Sequence, residues 1–136
     1  MYFTADADSH GFDSNIYLRM LVAIAKSDKE NGPPEYAFVR RQARRLGLDY
    51  EQYLNSTDKS FILEKQKVSR LTALSVIRDA ILLASLDHNF TLAEKQKVYS
   101  FAEKLDITRR DVDAVEVIVR DFQRVNDSWR QLVQTN

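Results

Sequence analysis

Two stretches of the chain, Ala25-Lys-Ser-Asp-Lys-Glu-Asn-Gly-Pro-Pro-Glu35 and Ala84-Ser-Leu-Asp-His-Asn-Phe-Thr-Leu-Ala-Glu94, are built to one plan. Each closes an apolar segment with an Asp, Asp28 or Asp87, and seven residues later places a Glu, Glu35 or Glu94, at the start of the next segment. A Glu in the first turn of a helix lies near the positive end of the helix dipole, where its charge is stabilising. The plan therefore reads as a joint between two helices, used twice. It restricts the chain to folds in which two helix pairs turn in the same way.

Sliding the second half against the first by 59 residues aligns more than the two joints. Leu18 falls on Ile77, Arg19 on Arg78, Ala25 on Ala84, Val39 on Val98, Ala43 on Ala102 and Leu46 on Leu105. The helix-starting residues coincide as well, Gly32 with Thr91 and Asp49 with Thr108. Apolar matches alone are cheap, because any two amphipathic helix pairs can be slid into agreement. Matches of Arg, Asp, Glu and caps in one register carry more weight, and they predict two pseudo-symmetric helical repeats sharing one core.

Only three Gly and two Pro occur in 136 residues, so tight turns are few, and helix formers dominate the rest. The expected fold is all-α, a compact multi-helix domain. Residues 1–12 show no periodicity and read as an N-terminal arm. Residues 13–136 read as a single helical domain, with internal halves at about 13–54 and 61–136.

Helix boundaries are predicted from caps. The first helix starts at Asp13 or Ser14 and runs to about Ser27. The second opens at Gly32-Pro33-Pro34-Glu35 and stops at Gly47. The third starts at Asp49 and ends near Leu54, followed by a polar connector from Asn55 to Ser60. An apolar face of Val68, Leu71, Leu74, Ile77, Ile81 and Ala84, broadened by Val76, Leu82 and Leu83, predicts a central helix buried on most sides. Thr91 and Thr108 open the last two helices with capping-box spacing or its close relative.

Twenty basic and twenty acidic side chains leave no net field to attract nucleic acid or an anionic membrane. Without cysteine there are no disulfides and no thiolate metal sites, and two histidines, His10 and His88, are too few for a His-rich zinc site. The N-terminal residues lack the basic start and apolar run of a signal peptide, and the most apolar stretch, Leu71 to Leu86, contains Arg78 and Asp79. These features lead to an expected cytoplasmic location, with no direct membrane insertion and no nucleic acid partner.

The pairing of an Ala-rich apolar helix, an Asp, and a Glu opening the next helix, given twice about 60 residues apart, resembles the TerB-like family associated with tellurite resistance. The resemblance runs from about Tyr17 to about Phe122 and rests on Asp28, Glu35, Asp87 and Glu94. The chain departs from the family pattern just after each Asp, where Lys29 and His88 stand in place of a favoured Gly. Phe90 fits the apolar position three after the Asp, and Asn31 does not. The resemblance implies an all-helical fold, a bacterial cytoplasmic setting, a link to stress, metal-ion or phage-defence functions, and no catalytic activity.

Packed about a pseudo-twofold axis, Asp28, Glu35, Asp87 and Glu94 would converge into a four-carboxylate cluster. Such a cluster calls for a hard, oxygen-ligated cation, Ca²⁺, Mg²⁺ or Mn²⁺. The competing reading is local: each Glu caps its own helix, and each Asp shapes its turn. An EF-hand is excluded, since Gly32 stands at loop position 5 rather than 6 and position 12 is Val39 or Val98.

Arg40, Arg41, Arg44 and Arg45 share a helix side, and Lys65, Lys67 and Arg70 form a second basic group; both read as solvated surface. A stripe of Val112, Val115, Val119, Phe122, Val125, Trp129 and Leu132 in the last helix reads mostly as core. Its final turns are open to the alternative of a protein partner or homo-dimer contact. No nucleophile with a base, no phosphate-cradling Gly-rich loop and no zinc motif occurs. Together with the resemblance, which implies an accessory interaction module, the expectation is a non-enzymatic TerB-like interaction module, with a divalent-cation binder as the alternative.

Overall fold

Among residues 11–86 and 89–135, which the computed structural model describes, the chain forms six α-helices and no strand. They are α1 (Ser14–Ser27), α2 (Pro33–Arg45), α3 (Tyr50–Ser56), α4 (Arg70–Ala84), α5 (Leu92–Lys104) and α6 (Arg109–Gln134), with a 3₁₀ turn at Lys59–Leu63. The all-helical prediction holds.

Two helices form the centre. In α1, Tyr17, Leu18 and every residue from Met20 to Ala25 are buried; in α4, Thr72, Ala73, all residues from Ser75 to Ile81, and Leu83 are buried. Helices apolar on nearly every side must be covered on nearly every side. α1 packs on α4, α2, α3 and the 3₁₀ turn, while α4 packs also on α5 and α6. The remaining helices give the core one face each, for example Phe38, Val39 and Ala43 from α2 and Val98, Phe101 and Ala102 from α5.

Except for α4, each α-helix starts on the residue its cap predicts. Asp13, Asp49, Thr91 and Thr108 accept hydrogen bonds from the backbone N–H of Ile16, Gln52, Glu94 and Asp111. α2 and α5 also end alike. The N–H of Leu48 donates to Ala43 and that of Ile107 to Ala102, both at 2.9 Å, past a residue in the left-handed region, Gly47 (φ 71°) or Asp106 (φ 59°). Such an ending satisfies carbonyls that the last helical turn leaves free.

Two boundaries differ from the sequence reading. Val68 lies before α4, which starts at Arg70 with Ser69 as its cap. Residues 64–69 run irregularly because they are held elsewhere: the Gln66 N–H donates to the Lys104 carbonyl at the end of α5. The predicted connector from Asn55 is also partly ordered, since α3 continues to Ser56 and the 3₁₀ turn begins at Lys59. Of the predicted arm, residues 1–10 lie outside the described residues. Phe12 packs on the core, its ring 5.3 Å from that of Tyr17.

Polar contacts tie the helices together. The Asp13 N–H donates to Thr72 Oγ1 at 2.9 Å, joining the starts of α1 and α4. The Lys26 ammonium donates to the carbonyls of Leu54 and Thr57 (2.7 Å for the latter), closing the end of α3. Arg19 reaches Thr57 Oγ1 at 3.0 Å while lying over the Tyr53 ring. Arg70 holds Asp111 through two nitrogens, at 3.0 and 3.2 Å.

The Arg70 hydrogen bond is the main cause that holds the Asp111 carboxyl below its ordinary value of 3.8. A carboxylate shifted this way stabilises the fold above its ordinary range, and the contribution is lost as pH falls through the lowered value. In Arg70→Met the Asp111 midpoint, followed by its carboxyl carbon shift, is expected to rise toward the ordinary value. An unmoved midpoint would assign the shift to Thr108 instead.

Candidate functional site

The first joint is built from backbone outward. Asp28 follows α1, and its carboxylate accepts the Glu30 N–H at 2.9 Å, which folds the turn on itself. Asn31 reinforces the turn by donating its side-chain amide to the Ala25 carbonyl at 3.0 Å. Glu35 then reaches back and accepts the Gly32 N–H at 3.2 Å. In the second joint Glu94 accepts the Thr91 N–H at 2.9 Å while Thr91 Oγ1 accepts the Glu94 N–H at 3.1 Å, a full capping box. Both Glu side chains therefore satisfy helix-start donors that would otherwise be unpaired.

Of the four carboxylates proposed to converge, the structure brings Asp28 and Glu94 onto one depression of about 640 Å³, shared with Lys29, Glu30, Asn89 and Lys97. The Lys97 ammonium stands 3.8 Å from the Asp28 carboxylate, supplying positive charge where a cation would sit. Glu35 stays at the start of α2, engaged with Gly32. Asp87 and His88 lie outside the described residues, as does His10. Among the described residues no group of three acidic or histidine side chains is placed to hold a metal ion.

The basic groups are largely engaged or dispersed. Arg40 pairs with Glu51 at 3.6 Å and lies over Tyr50, and Arg45 donates twice to Gln42. Arg41 and Arg44 are exposed. This matches the reading of α2 as a solvated face.

α6 divides into two parts. Its first half is clamped to α5: Lys95 donates to Glu116 at 2.8 Å and contacts Asp113 at 3.2 Å. The Glu116 hydrogen bond is the main cause that raises the Lys95 ammonium above its usual range. Val112 and Val119 are buried, and Val115 and Phe122 are partly so. From there the helix outruns the domain. Val125, Trp129, Leu132 and Val133 are exposed, Trp129 by 61 % and Leu132 by 67 %, and with Ile118 they form one apolar stripe. The sequence stripe is thus core only as far as Phe122, because α4, the helix it packs on, ends at Ala84 while α6 runs on for several more turns.

One buried polar site has no counterpart in the sequence reading. Arg78 and Asp79, adjacent on α4, pair through two hydrogen bonds of 2.8 and 2.9 Å, and the Tyr17 hydroxyl of α1 donates to the same carboxylate. Gln42, at 3.4 Å from the Tyr17 hydroxyl, links this group to Arg45 of α2. Burial first, then the Asp79 charge, pushes the Tyr17 hydroxyl well above its ordinary value of 10.0, so it stays a donor. The signal was present: a charged pair inside an otherwise apolar run must be buried with partners once the helix is central.

Comparison of the chain with protein-family models, with curated proteins and with solved structures gives no match. No described helix is long and apolar enough to cross a membrane.

Proposed function

We propose that the chain is a non-enzymatic, TerB-like helical module that acts by binding protein in the cytoplasm, in a bacterial stress, tellurite-resistance or defence system. One observation carries the interaction reading: an apolar stripe on α6, from Ile118 to Val133, lies in solvent, its last turns beyond the body of the domain. A contiguous apolar face of this size is near the top of what a monomeric protein leaves uncovered, and such faces mark contact sites. The deep polar groups, Tyr17, Arg78 and Asp79, are paired with one another inside the core, away from any substrate.

The TerB-like and two-repeat readings draw support from local geometry. α2 and α5 have both ends 59 residues apart, α3 and α6 have caps 59 apart, and the left-handed residues Gly47 and Asp106 keep the same offset.

The test is made in the host. Tagged at its own locus, the chain is expected to run in a complex heavier than its 15.8 kDa. The variant Trp129→Asp with Leu132→Asp, helical by circular dichroism, is expected to run alone. A wild-type chain running at its own mass in the host removes the reading.

The cation alternative has one observation in its favour, the shared depression of Asp28 and Glu94. Were it correct, Ca²⁺, Mg²⁺ or Mn²⁺ at 100 times its dissociation constant would stabilise the fold by roughly 2.7 kcal/mol. With Lys97 against Asp28 and with Glu35 and Glu94 engaged as caps, we expect no more than a salt-like shift in melting temperature. The same shift is expected in Asp28→Asn combined with Asp87→Asn. A wild-type shift of several degrees that the double variant lacks would reverse the order of the two readings.

A further inference from the structure

We infer that the exposed face of α6 is the seat of a second copy of this chain, laid antiparallel about a two-fold axis at Val125. This rests on the interaction reading above and names its partner. Ile118, Phe122, Val125, Trp129 and Leu132 follow one another at intervals of four, three, four and three, the spacing of a seam between two helices. All but Phe122, which is partly buried, are more than half exposed.

Area supports a dimer. With Val133, the exposed parts of these side chains amount to roughly 500 Å² of apolar surface, near the top of what a monomer leaves in one patch. Two copies together bring up to about 1,000 Å² of it to the contact, the size at which a specific interface begins.

The seam is also its own complement, as a two-fold contact requires. Rotation about Val125 sets Val125 on Val125 of the second copy, Ile118 level with Leu132, and Trp129 beside Phe122. Asp121 is the one charge bordering the stripe, and Arg124 already engages it at 3.4 Å. In the antiparallel pair the two Asp121 carboxylates stand about 12 Å apart along the seam, at 1.5 Å per residue, beyond the range of unscreened repulsion. A parallel pair would set them at one level.

Antiparallel alignment also opposes the helix dipoles favourably. The whole chain carries equal numbers of acidic and basic groups, so no long-range repulsion separates two copies. A membrane surface fits less well, because Asp121 and Asp127 on the same helix offset the basic residues that anionic lipids recognise.

The chain has no cysteine, so introduced ones are alone. At about 100 μM, a concentration suited to an interface of this size, the wild type is expected to sediment at twice the chain mass. Trp129→Asp with Leu132→Asp is expected to sediment at the single mass with unchanged helicity. If that pair loses helicity, Val125→Arg carries the same test. On oxidation Val125→Cys is expected to cross-link with itself, while a mixture of Ile118→Cys chains and Leu132→Cys chains cross-links at least tenfold more than either alone.

Single-mass wild type overturns the inference, as does equal cross-linking of Ile118→Cys by itself, which is the parallel arrangement. Single-mass wild type that pelts down with phosphatidylglycerol vesicles overturns it in favour of a membrane. A monomer in pure solution beside a heavy complex in the host refutes the second copy alone, whereas a single mass in both refutes the interaction reading too.

Discussion

Asp79→Ala is expected to lower the free energy of unfolding by about 3–5 kcal/mol, a large part of the 5–15 kcal/mol that holds a domain of this kind together. Asp79 is 2 % exposed and neutralises Arg78, itself 9 % exposed. Removing the carboxylate breaks both of its hydrogen bonds to a buried guanidinium and takes the near acceptor from the Tyr17 hydroxyl. Urea denaturation followed by circular dichroism measures the loss, and a cost under about 1 kcal/mol would show that water compensates at the site.

Two further variants apportion the effect. Tyr17→Phe removes one hydrogen bond to a charged group and is expected to cost about 1.5–3 kcal/mol. Replacing both charges together, Arg78→Met with Asp79→Leu, is expected to recover most of the loss, since a buried ion pair exchanged for apolar groups of similar volume is often neutral.

The second large effect separates the core from the stripe it resembles. Ile77→Ala is expected to cost about 2–5 kcal/mol, because Ile77 is fully buried in the core between α1 and α4, a packed pair of helices that closes only partly over a cavity. Trp129→Ala removes a far larger side chain, yet at about 1 μM chain it is expected to cost less than about 0.5 kcal/mol, the range of surface changes. Equal losses at the two positions would mean that α6 folds back on the domain in solution.

Much of this architecture is legible in local sequence. The caps at Asp13, Gly32, Asp49, Thr91 and Thr108 involve residues within three positions of one another, so a linear reading suffices to find them. The start of α4 is less so, because Val68 fits the apolar period while its segment is tethered by Gln66 to α5. The Tyr17 and Asp79 contact joins positions 62 apart, and neither residue announces it alone. How much of the α6 stripe is covered depends on where another helix stops, which no periodicity within α6 encodes.

For the acidic joints, sequence supplied the residues and their local duties but not their separation. Glu35 and Glu94 cap as expected, whereas the meeting of Asp28 with Lys97 depends on how α1 packs relative to α5.

The clasp at the end of α3 has a kinetic meaning. α3 has seven residues, only about half of what an isolated helix needs to be even marginally stable in water. Its last carbonyls and its Tyr53 ring are held by Lys26 and Arg19, both on α1. α3 is therefore expected to form after α1 has taken its place, and to be released first when the molecule breathes. Its amides should exchange with solvent hydrogen through small openings, while those of α1 and α4 wait for the whole domain to come apart.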